Sequence, residues 1–114
     1  MNTDRGPTFS VQVRAEGADV VVTVAGEVDL NSAPALRAAL LDAVGVAARE
    51  VTVDMYGVEY FDSSGVHGIF DSASVAHGAE KQLRLVRVRP HLMRLLDMTG
   101  VPEIVLCEEA TDEV

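Results

Sequence analysis

Residues 51–73 read Val-Thr-Val-Asp-Met-Tyr-Gly-Val-Glu-Tyr-Phe-Asp-Ser-Ser-Gly-Val-His-Gly-Ile-Phe-Asp-Ser-Ala, and the pattern changes period partway through. Val51, Val53 and Met55 alternate with polar neighbours, as in a strand with one buried face. Tyr56 to Phe61 reads as a short connection. Asp62-Ser63-Ser64-Gly65 then supplies helix-starting residues, and Val66, Ile69, Phe70 and Ala73 follow at the i, i+3, i+4, i+7 spacing of an amphipathic helix. A strand that feeds a helix of this length is half of a β-α-β crossover, which predicts a parallel sheet.

The same punctuation extends in both directions. Phe9, Val11 and Val13 alternate with polar residues, Glu16-Gly17-Ala18-Asp19 supplies a turn, and Val20 to Val24 forms a second run, so the chain opens with a hairpin. Gly26 ends that second strand. Asn31 or Ser32 caps a first helix with Pro34 in its first turn, and Leu36, Leu40 and Val44 share one face. Downstream, Gly78 stops the second helix and Gln82 to Val88 is a fourth strand. Pro90 opens a third helix with Leu92, Leu95 and Leu96 on one face, and Gly100 and Pro102 close it before a last strand, Ile104 to Cys107.

The order β-β-α-β-α-β-α-β predicts an α/β fold with helices packed on a mainly parallel central sheet. Residues 1–114 make one domain, with 1–7 expected to be flexible and 108–114 to be an acidic tail or a short terminal helix.

Composition narrows the function. With 48% apolar and 24% charged residues the chain resembles ordinary soluble domains. A net charge of −9 disfavours nucleic acid and anionic membranes, whose binding needs Lys and Arg. No apolar stretch approaches the ~18 residues of a membrane span, and the first residues do not look like a secretion signal. Cys107 is the single cysteine, expected as a small buried thiol in a reduced, cytoplasmic protein. His67, His77 and His91 are too scattered to be metal ligands. Neither a phosphate-binding Gly-x-x-x-x-Gly-Lys-Ser/Thr loop nor a dinucleotide turn occurs, so no cofactor is expected.

Two polar loops remain, Gly26 to Ser32 and Tyr60 to Gly65, each leaving the carboxyl end of a strand. Because the strands they follow run parallel, Asp29 and Ser63 emerge at the same end of the sheet. Ser63, at or near the N-cap, holds its hydroxyl outside the helical ladder. The unpaired N–H groups and positive dipole of that helix start accommodate a phosphate of roughly −1.5 to −2 charge. By themselves, however, Asp62 and Ser63 read first as a helix cap.

Three stretches in order shift that balance: Gly26-Glu27-Val28-Asp29; Val53-Asp54-Met55 with Val58 to Phe61 leading into Asp62-Ser63-Ser64-Gly65-Val66; and Leu95-Leu96-Asp97-Met98-Thr99-Gly100. They resemble the STAS domain of bacterial anti-sigma-factor antagonists over nearly the whole chain. The resemblance implies a protein that is not an enzyme. Its unphosphorylated form captures an anti-sigma factor with serine-kinase activity and thereby frees a sigma factor. Phosphorylation at the position of Ser63 abolishes capture, and a serine phosphatase restores it. Asp29 matches the family's loop aspartate beside the serine, and the expected contact surface comprises Asp29, Asp62, Ser63, Ser64, Gly65 and His67. His67 departs from the pattern, which more often has a small residue there, and the family's final helix is short or missing.

Two other functions fit the residues less well. One is a scaffold subunit of a larger signalling assembly, tuned through the same serine. The other is a small hydrolase using Ser63, His67 and Asp29, which lacks a Gly-x-Ser-x-Gly elbow. Strand lengths leave the oligomeric state open, including a dimer through a sheet edge.

Overall fold

The computed structural model describes residues 8–111. The elements are β1 (Phe9–Glu16), β2 (Asp19–Val28), α1 (Ala33–Val46), β3 (Glu50–Phe61), α2 (Ser63–Gly78), β4 (Gln82–Val88), α3 (Pro90–Thr99), a 3-10 turn (Val101–Glu103) and β5 (Leu106–Glu109). One sheet contains all five strands in the order β1-β2-β3-β4-β5, with β1 antiparallel to β2 and every later pair parallel. The α/β order read from the sequence is therefore the order found.

Alternation along the strands decides which face is covered. Val20, Val22 and Val24 of β2, Val51, Val53 and Met55 of β3, and Leu83, Leu85 and Val88 of β4 are buried in one cluster with Leu36 and Leu40 of α1, Ile69 of α2, and Leu92 and Leu96 of α3. All three helices thus pack on the same face, as right-handed crossovers between successive neighbours require. The other face carries Thr23, Thr52, Asp54, Arg84 and Val86, all only partly buried. Ion pairs from Arg84 to Glu50 and Glu108, and from Arg87 to Asp54, run across it. Among the described residues no helix is long and apolar enough to cross a membrane, and no three His, Cys, Asp or Glu residues cluster as metal ligands.

Three boundaries differ from the sequence reading. Gly26 does not end β2. At φ 93, and with the Thr8 carbonyl oxygen crowding the place where a Cβ would stand, the position admits only glycine, and the strand continues through it to Val28 with its alternation kept. The stretch Tyr56–Phe61 is likewise part of β3, not a connection, because register shifts against β2 change the phase of its alternation. The last strand starts at Leu106 instead of Ile104. Gly100 and Pro102 lead into a 3-10 turn in which the Ile104 and Val105 N–H groups donate to the Val101 carbonyl at 3.0 and 2.9 Å, holding both residues out of the sheet. As a consequence Glu108 and Glu109, expected to begin an acidic tail or helix, belong to β5. Residues 1–7, expected to be flexible, and 112–114 lie outside the described residues.

Candidate partner-binding site

The carboxyl ends of β2 and β3 are adjacent, with Val28 opposite Phe61 in register. The Asp62 N–H donates to the Val28 carbonyl at 3.3 Å, fixing the two outgoing loops side by side. Asp29 and Ser63 therefore lie on neighbouring connections at one end of the sheet.

The first loop is a compact turn built on Asp29. Its Oδ1 accepts from the N–H groups of Asn31 and Ser32 at 2.9 and 3.2 Å, while its own N–H donates to Ser32 Oγ at 2.9 Å. Ser32 Oγ in turn donates to the Glu27 carbonyl at 2.8 Å. Ser32 is the residue preceding α1, but its hydroxyl is spent on this turn and not on the helix. The turn holds Leu30 outward, 77% exposed.

At the second loop Asp62, not Ser63, is the N-cap: its Oδ1 accepts the Ser64 N–H at 2.9 Å, and Ser63 is the first helical residue. Ser63 is exposed, Ser64 is half-buried, and His67 is exposed one turn further along α2. Among the described residues no hydrogen bond joins Ser63 to His67. Tyr60, half exposed, donates its hydroxyl to Asp62 Oδ2 at 3.5 Å.

Gly65 acts from below. A Cβ there would stand 2.6 Å from Phe61 Cζ and 2.8 Å from Val28 Cγ1, so only glycine lets the first turn of α2 descend onto the ends of β2 and β3. It is buried and shapes the surface by position, without presenting a side chain to a partner. The helix is further seated on α1 by the Arg37–Asp71 ion pair at 2.9 Å.

Charge at this end is one-sided. Glu27, Asp29, Glu59 and Asp62 form no ion pair among the described residues, whereas most other carboxylates near the sheet do. Exposed Leu30 and Tyr60 belong to the same surface. Sequence reasoning named neither as a contact residue, since an apolar or aromatic side chain outside a clear alternation looks the same whether it points into the core or away from it.

The STAS domain model described as "Mlab, STAS domain" matches residues 11–106. The anti-sigma-B factor antagonist of Bacillus subtilis is 30% identical over 97 residues, covering 85% of this chain and 88% of that protein. The crystal structure of an anti-sigma factor antagonist from Mycobacterium paratuberculosis superposes with a TM-score of 0.81 at 25% identity, over 91% of this chain and 88% of that one. SpoIIAA in its unphosphorylated form shares the fold, with a TM-score of 0.70 at 18% identity over 90% of each chain. With the sheet order, the paired loops at the ends of β2 and β3 and this match along most of its length, the chain belongs to the STAS domain family.

Proposed function

We propose that this protein is an anti-sigma-factor antagonist whose affinity for its partner is set by phosphorylation of Ser63. The carrying observation is the placement of Ser63: exposed, first in α2, capped from behind by Asp62 and beside the Asp29 turn. The names of the matched relatives support the same reading. In the unphosphorylated form the end of the sheet, with Asp29, Ser63, Ser64 and His67 at its centre and Leu30 and Tyr60 at its flanks, docks on an anti-sigma factor that is also a serine kinase. Sigma factor is released in exchange. A serine phosphatase resets the switch, and the protein itself contributes binding, not catalysis.

Charge and hydration explain how one phosphate breaks the complex. A Ser63 hydroxyl can be buried between two apolar flanks at small cost, but a phosphate of roughly −1.5 to −2 charge cannot shed its water there. It also stands next to Asp62 and the Asp29 turn, so the like charges add to the penalty; juxtapositions of this kind cost several kcal/mol at an interface. The positive end of the α2 dipole accepts the phosphate locally, although the Ser64, Gly65 and Val66 N–H groups are already spent on Asp62, so the fold need not change.

The test is affinity capture from the source cell with wild type, Ser63→Ala and Ser63→Asp, followed by mass spectrometry of partners and phosphosites. Recovery of a kinase-like anti-sigma factor with wild type and Ser63→Ala, its loss with Ser63→Asp, and phosphate on Ser63 are the expected results. Identical partners for all three and an unmodified Ser63 would reduce the residue to part of a helix start.

A further inference from the structure

β1 is an outer strand of the sheet, paired with β2 along its length and with no other described strand. Its outward backbone N–H and C=O groups form an open row, a template for another strand. The opposite outer strand, β5, is blunted: it has four residues, two of them glutamates, and its register on β4 shifts. β1 has eight residues, a regular register, and neither proline nor lysine.

Its side chains are sorted by face. Phe9, Val11, Val13 and Ala15 are on the helix side, where Phe9 and Val11 pack against the core and Val13 remains 52% exposed. Ser10, Gln12, Arg14 and Glu16 are on the open side, and Arg14 is ion-paired with Glu16. The strand is therefore electrically neutral on a chain of net charge −9.

We propose that β1 pairs antiparallel with β1 of a second copy of this chain, about a twofold axis normal to the sheet at Gln12. Matching the pleats of the two copies restricts the pairing to registers in which residues of the same face stand opposite one another. With Gln12 on the axis, Val11 faces Val13 and Phe9 faces Ala15 on the helix side, while Ser10 faces Arg14 on the other. Every apolar residue meets an apolar one, and no like charges are opposed. Moving the axis to Arg14 would set two arginines face to face. The match of the strand to its own reverse, together with its neutrality, selects another copy over an unrelated strand. The sheet then continues across the axis, with the strands of the two copies running oppositely. The two Ser63 surfaces point to opposite ends and stay open, so one dimer presents two of them.

Sedimentation equilibrium of the full chain over a range of concentrations should show association from 12.2 kDa toward twice that mass. Association should tighten in higher salt, as repulsion between acidic bodies is screened. Val13→Lys should weaken it at least about tenfold, whereas Val75→Lys on α2 should leave it unchanged. In a Cys107→Ser background, Gln12→Cys should form a disulfide dimer under mild oxidation. Glu16→Cys should not, since its two copies would lie about 26 Å apart at ~3.3 Å per residue. A monomer at every concentration, association indifferent to Val13→Lys, or equal cross-linking through positions 12 and 16 would each overturn the proposal.

Discussion

Gly65 and Phe61 approach so closely that a Cβ on the glycine would stand 2.6 Å from the Cζ of the ring. Phe61 is the last residue of β3 and is 5% exposed, and the same Cβ would stand 2.8 Å from Val28 Cγ1, so an added methyl is crowded from two sides. Gly65→Ala should therefore destabilise the fold by about 1–3 kcal/mol, the usual range for an overpacked site. Chemical denaturation should show a lower midpoint with an unchanged slope. An unaltered midpoint would mean that the start of α2 moves easily, and the serine surface would not be rigid.

Asp62 holds the same turn from outside. Removing its carboxylate in Asp62→Ala loses the bond to the Ser64 N–H and should cost about 1 kcal/mol. Asp62→Asn keeps an acceptor and should recover most of the loss, which thermal unfolding of the two variants can compare.

Ser63→Asp places a carboxylate at the first position of α2, where the dipole favours it and Asp62 opposes it. The two effects are of similar size, so the thermal midpoint should stay within about 2 °C of wild type. A large fall would show that negative charge at Ser63 disrupts α2, and that phosphorylation would act by unfolding instead of by changing a surface.

Cys107 supplies a pH-dependent test. Burial, with the charge of Asp97 adding to it, pushes its thiol up from 9.0 to about 11. The thiol should thus alkylate more slowly at pH 8 than a free cysteine, because the thiolate is the reactive form. The linkage follows the same direction: the folded state retains its proton longer than the unfolded one. This contribution to stability is complete below about pH 9 and is lost as the pH rises toward 11. Cys107→Ser should remove that part of the alkaline loss. Rapid alkylation at pH 8 would place the thiol in water.

The order of elements was legible because helix and strand periods are local properties of the chain, and the shift between them at Asp62 is sharp. The nearness of Asp29 and Ser63 was legible too, since a helix crossover forces β2 and β3 to run in the same direction. The lengths of strands were not. Gly26 reads as a stop although β2 keeps its alternation through it to Val28, and two bulges on β3, near Tyr56 and at Glu59, change the phase of that strand and make it look shorter than it is. In Ile104-Val105-Leu106-Cys107 the apolar run is the same whether it lies in a sheet or winds out of a turn, and the hydrogen bonds to Val101 decide which.

Residue type at a given spacing carries the α/β order, the end of the sheet at which the polar loops meet, and the family. Packing in three dimensions settles that Asp62 is the cap and Ser63 the exposed first residue of α2, that Leu30 and Tyr60 face outward beside it, that Gly65 is a packing requirement, and that β1 has no described strand on its outer edge. Those facts depend on which atoms from distant parts of the chain occupy the same space, and spacing along a chain does not carry that information.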